Sequence, residues 1–174
     1  MHLIKTILFG GRGAASLSGD LMLAVVRVSV GLFMLVGHGW SKLTRVTEDG
    51  TRVFGPPQML IDGTAAMGFP MPELFAWCAA LTESLGAALL ILGLLTRPAA
   101  FGLVFTMGVA AFVAHANDPW FMAQANGGRA KEMAMLFMFP CLLFMTIGAG
   151  KVSADALLYH KSRLKPPMPR STKS

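Results

Sequence analysis

The chain has 174 residues, of which 54% are hydrophobic and only 14% charged. Soluble domains carry close to a quarter charged residues, so this composition excludes an ordinary soluble fold and leaves too little chain for a second domain with its own core. The formal charge of +6 comes with no basic stripe interleaved with aromatics, which points to anionic lipid headgroups and away from nucleic acid.

Residues 1–20 open with a short apolar stretch, followed by Gly10-Gly11-Arg12-Gly13. The stretch is too short to span a bilayer, and Arg12 interrupts the apolar core a signal peptide needs. An interfacial lead-in is expected. Residues 21–150 then carry four apolar segments. The first covers residues 21–40, with Asp20 as its cap and Trp40 at a membrane interface. A long link, 41–71, follows. In it, Pro56-Pro57 can open a short helix and Gly68 with Pro70 can close it, and its apolar side is expected to lie on the membrane surface. The second segment covers 72–95 and is stopped by Thr96-Arg97-Pro98. The third covers 98–116 and ends at Asn117-Asp118-Pro119-Trp120. The fourth covers 132–148, and its Pro140 is expected to kink it near Leu136. Each segment is expected to be long enough to cross about 30 Å of hydrocarbon at 1.5 Å per residue. Residues 151–174 read as an amphipathic turn capped by Ser153, then a basic, proline-rich tail expected to be disordered. The fold class is therefore all-α: an integral membrane four-helix bundle with short interfacial helices.

Orientation follows from the cations. Lys5, Arg12, Arg97, Lys151, Lys161, Arg163, Lys165, Arg170 and Lys173 fall on one side, against Lys42, Arg45, Arg52, Arg129 and Lys131 on the other. The positive-inside rule puts both termini of a multi-pass membrane protein in the cytoplasm. Cys78 and Cys141 lie in apolar runs outside any CxxC and read as small buried hydrophobes.

Polar groups in hydrocarbon are costly, so those present mark the places to look for function. Arg27, Gly31, Met34 and His38 share one helical line at 100° per residue, and Lys42 lies close to it beyond the membrane. Glu83 sits on a small-residue face with Ala76, Ala79, Ala80, Gly86 and Ala87, which admits another helix. Its depth matches that of Arg27, and the two are expected to pair, either as structural glue or as a proton relay. His115 ends the third segment above Gly108 and Ala111, with Asp118 one turn on, and Glu132 opens the fourth. An outward cavity lined by His38, Lys42, His115 and Glu132, with Trp40 or Trp120 at its rim, is the expected binding site; the alternative is that these residues face headgroup water. No HxxxH spacing accompanies the histidines, so no metal ligands are assigned. Both histidines lie near the surface, which argues against haem. No nucleophile–base spacing and no phosphate-cradling loop is present.

In order along the chain, Arg27…Gly31…Gly37-His38-Gly39-Trp40-Ser41-Lys42, Gly68-Phe69-Pro70-Met71-Pro72, Glu83-Ser84-Leu85-Gly86, Leu92-Gly93-Leu94-Leu95-Thr96-Arg97, and Gly148-Ala149-Gly150-Lys151-Val152-Ser153 followed by Asp155 resemble the DoxX family of small bacterial membrane proteins. The resemblance spans roughly residues 21–155. It implies a four-helix membrane fold and association with quinone-linked oxidases or with redox and stress-response partners. The leading expectation is a membrane subunit of a quinone-linked redox system, with Arg27 and Glu83 relaying protons and His38, Lys42, His115 and Glu132 holding the quinone. Membrane lipid and a protein partner or second copy are the expected company. Two alternatives are a non-catalytic anchor or assembly partner and a small-solute or metal handler.

Overall fold

A computed structural model describes residues 14, 16–47, 49–125 and 129–163, with side chains given through residue 158. Helix α1 covers Leu17–Lys42. Ser16 caps it by accepting from the Gly19 N–H at 3.1 Å. Asp20, expected in that role, is instead fully buried. It accepts from the Ala14 N–H at 2.8 Å and lies 3.3 Å from the Lys151 ammonium. A hairpin of strands β1 (Thr44–Val46) and β2 (Arg52–Phe54) follows, with Arg45 opposite Val53. The structure is otherwise mostly helical, and this short hairpin is an element the sequence pattern did not announce. At the hairpin turn, hydrogen bonds from Thr47 and Thr51 hold the exposed Asp49 carboxyl below its usual range.

Helix α2 (Gln58–Ala66) begins behind Pro57, and Gly68 at φ 83° ends the turn that follows it. Helix α3 covers Pro72–Leu92 and α4 Thr96–Ala114. The turn between them needs left-handed backbone at Gly93 (φ 64°) and at Leu95 (φ 48°). A short 3-10 turn, Met122–Gln124, leads toward α5 (Glu132–Ile147), and α6 (Ala154–Arg163) closes the described chain. Ser153 caps α6 by accepting from the Ala156 N–H at 3.2 Å. The lead-in before Ala14 and the tail beyond Arg163 lie outside the described residues.

Three helices, α1, α3 and α4, are long and apolar enough to cross a membrane. Helix α5 is just as apolar but has 16 residues, about 24 Å at 1.5 Å per residue, so length alone does not make it a fourth span. It continues as one helix through Pro140. The bundle is inside-out relative to a soluble one. Its outer faces carry Phe33, Val36, Leu85, Phe101, Phe105 and Phe139, all more than half exposed, as a lipid solvent allows. Its centre is a seam of Met34, Leu90, Leu103, Met107, Phe137, Cys141 and Phe144 between alanines.

Small residues set how closely the helices approach. A Cβ on Gly39 would stand 2.5 Å from the Glu83 carbonyl oxygen, and one on Gly31 would stand 2.9 Å from that of Ala87. So α1 and α3 touch backbone to backbone at two heights, which fixes the register of everything else on their facing sides. Each of the three long helices also contains a five-residue π-helical segment: Leu35–Gly39 in α1, Thr82–Gly86 in α3 and Ala110–Ala114 in α4.

Candidate functional site: a cavity between α3 and α4

The π segments explain where the polar side chains go. An i→i+5 hydrogen bond in place of i→i+4 widens the turn and resets the phase of whatever follows. In α1 the reset breaks the straight polar line read at 100° per residue. Arg27 stays before it, His38 falls inside it and Lys42 emerges after it. Lys42 turns toward α3, and its ammonium lies 2.5 and 2.6 Å from the two carboxylate oxygens of Glu83. The Glu83 side chain is 2% exposed and that of Lys42 is 28% exposed. Glu83 thus pairs with Lys42, and the expected Arg27–Glu83 pair does not form.

Arg27 sits near the other end of α1, 2% exposed. Its Nη2 donates to the Val152 carbonyl at 2.9 Å, and its guanidinium lies on Gly93 where any Cβ would collide. Asp155 accepts from the N–H groups of Leu95 and Thr96, at 2.8 and 3.0 Å. The carboxylate therefore caps α4 where its exposed amides and dipole favour an anion, and it pins the start of α6 to the α3–α4 turn.

A cavity of about 350 Å³ lies between the hairpin-end halves of α3 and α4. Lys42, Glu83 and Thr82 line it together, while Thr106 and His115 line its α4 wall. Leu60, Thr64 and Met67 of α2 also line it. Helix α2, expected to rest on the membrane surface, thus helps to close the site. The remaining walls are apolar and include Phe101 and Phe105, which are 62% and 61% exposed on the outside of the bundle. The cavity therefore borders the flank that faces hydrocarbon. Two of the three π segments reach it: Thr82 and Glu83 belong to the second and Ala110 and Ala114 to the third, while the first ends three residues before Lys42. Single π turns inside α-helices occur frequently at functional sites.

His115 reaches the cavity with its Nδ1 held 2.7 Å from the Asp118 carboxylate. His38 does not reach it. Its ring stacks edge-on against Phe137 of α5, at 5.3 Å between centroids. Glu132 also stands apart, accepting from the Met122 N–H at 2.8 Å. Neither Trp40 nor Trp120 borders the cavity; Trp120 sits under the Lys131 ammonium at 4.7 Å. Of the six residues singled out by sequence, the cavity gathers Lys42, Glu83 and His115. The sequence reading missed Thr82, Thr106 and the α2 contribution. It also placed both cysteines in the core, whereas Cys141 is buried and Cys78 is exposed and lines the cavity. Among the described residues no group of three or more His, Cys, Asp or Glu side chains converges.

Long apolar helices, lipid-facing aromatics and an intramembrane ion pair beside an apolar cavity define a helical integral membrane protein. The chain belongs to the DoxX family, whose model matches residues 22–116. It is 34% identical over 141 residues to an uncharacterised protein of Haemophilus influenzae, a match covering 80% of this chain and 92% of that one. It is 42% identical over 113 residues to the inner membrane protein YphA of Escherichia coli, covering 59% of this chain and 78% of the relative. No solved structure matches it.

Proposed function

We propose that this protein is a membrane subunit of a quinone-linked redox system and that the α3–α4 cavity takes the quinone head group. The observation that carries this reading is a membrane-flanked apolar cavity with a buried Lys42–Glu83 pair in its lining. Ligand pockets for small molecules begin near 300 Å³ and combine apolar walls with a few polar groups. This cavity has room for one ring, and its phenylalanine-lined border gives an isoprenoid tail a way out into lipid. Its residues fit the group. The Lys42 ammonium has three donors and uses two on Glu83, leaving one for a carbonyl oxygen. The hydroxyls of Thr82 and Thr106 and the ring of His115 complete the polar set. When bound, a quinone supplies two-electron, two-proton chemistry. Lys42, Glu83 and His115 are the groups of this chain that can hold protons beside it.

The positive-residue asymmetry and the named inner-membrane relative support an inner-membrane location with both termini cytoplasmic and α5 completing a four-helix bundle. Reporter fusions after Ser174 and in the hairpin turn at Gly50 are expected to report opposite compartments; the same compartment for both contradicts this topology. For the ligand, lipid extraction of protein purified gently from its native membrane is expected to yield quinone near one per chain, with a large loss in the Lys42→Met variant. Quinone no higher than in an unrelated membrane protein purified alongside overturns the reading.

A further inference from the structure

We infer that the cavity selects the reduced, hydroxyl-bearing form of its ligand, a hydroquinone, through a hydrogen-bond acceptor that Asp118 creates on His115; the inference rests on the quinone reading above. The imidazole Nδ1 lies 2.7 Å from an Asp118 oxygen. An ionised carboxylate only accepts hydrogen bonds, so Nδ1 carries the proton of the neutral ring. The other nitrogen, Nε2, is then an acceptor, because a partner on one ring nitrogen fixes the tautomer at both. No described residue donates to Nε2, and the His115 side chain lines the cavity.

The other polar groups divide the work. Both oxygens of Glu83 are taken up by Lys42. Thr64 already donates its hydroxyl proton to the Leu60 carbonyl at 2.6 Å. Lys42 offers only donors, and the Thr82 and Thr106 hydroxyls rotate to give or accept. Among the cavity side chains not already engaged, His115 Nε2 is therefore the group that can only accept. An oxidised quinone has carbonyl oxygens and no O–H, so it leaves Nε2 facing an apolar ring or another acceptor. A hydroquinone has two O–H groups, one of which can meet Nε2 while the oxygens still accept from Lys42 and the threonines. A polar site left without its partner discriminates against the ligand that lacks the matching group.

Asp118 is the positioning residue. It lies on the segment after α4, 27% exposed, with Arg129 Nε 3.8 Å away. Asn at this position can present either its oxygen or its amide to Nδ1, so the tautomer is no longer imposed.

The test is direct binding of a short-tailed quinone and its hydroquinone to the full-length protein in lipid nanodiscs, under reducing conditions for the latter. The wild type is expected to bind the hydroquinone about tenfold more tightly, the equivalent of one well-made hydrogen bond. Asp118→Asn and His115→Phe are expected to bring the two affinities within about twofold of each other; a single hydrogen bond is at stake in both. Equal or tighter binding of the oxidised form by the wild type, or a preference that survives His115→Phe, overturns the inference and leaves the quinone site standing. Binding of neither form overturns both.

Discussion

Replacing Lys42 with Met is expected to destabilise the folded protein by about 3–5 kcal/mol, because it strands the Glu83 carboxylate in a nearly water-free place. The asymmetry in exposure sharpens the expectation. Glu83 is 2% exposed, whereas Lys42 keeps 28% of its side chain accessible. Glu83→Gln leaves an ammonium that can swing toward water or the cavity, so its cost should be clearly smaller than that of Lys42→Met. The double variant Lys42→Met with Glu83→Met removes both charges and should recover most of the loss, since an apolar replacement of a whole buried pair is often neutral. Unfolding midpoints in one detergent check this order. If Lys42→Met unfolds like the wild type, the pair does not hold α1 to α3.

The second large effect belongs at the opposite end of the bundle. Asp155→Ala removes the acceptor for the Leu95 and Thr96 amides, a capping loss of about 0.5–2 kcal/mol. Asp155→Asn keeps one of the two accepting oxygens. The step from wild type to Asn therefore removes the charge together with one amide acceptor, and the step from Asn to Ala removes the other. An unfolding midpoint unchanged in Asp155→Ala contradicts the pinning of α6 to the α3–α4 turn.

The apolar helices were legible because their signal is long and additive. Some twenty consecutive residues of high hydropathy, ended by Thr96-Arg97-Pro98 or Asn117-Asp118-Pro119, can hardly be read otherwise. The short helix behind Pro56-Pro57 and the Ser153 cap followed from local chemistry in the same way. The hairpin did not, because Thr44–Val46 and Arg52–Phe54 are three residues each and too short for an alternating pattern to stand out. The pairing of polar groups failed for a different reason. Arg27, His38 and Lys42 were placed on one face by assuming a constant 100° per residue, and the π turn at Leu35–Gly39 breaks that assumption between them. Nothing in Leu-Val-Gly-His-Gly announces a π turn, apart from Gly39, which lets α1 meet the backbone of α3. Glu83 and His115 were found because ionisable groups inside apolar runs are few. Thr82, Thr106 and Cys78 were missed because such residues are common and unremarked in membrane helices, and only the cavity singles them out. Asp155 was noticed as part of a glycine-rich ending, yet its partners, Leu95 and Thr96, lie about sixty residues earlier and no local pattern connects them.

The central claim is that a quinone occupies the α3–α4 cavity, and photolabelling tests it most directly. A quinone carrying a photoreactive group on its ring, added to the protein in lipid nanodiscs, should label peptides containing Thr82 and Glu83 of α3 or Thr106 and His115 of α4. Excess unlabelled quinone should suppress that labelling, and Lys42→Met should reduce it sharply. Labelling confined to the outer faces of α1 and α5, or labelling that excess quinone does not suppress, would mean that the ring merely partitions into surrounding lipid and that the cavity holds something else.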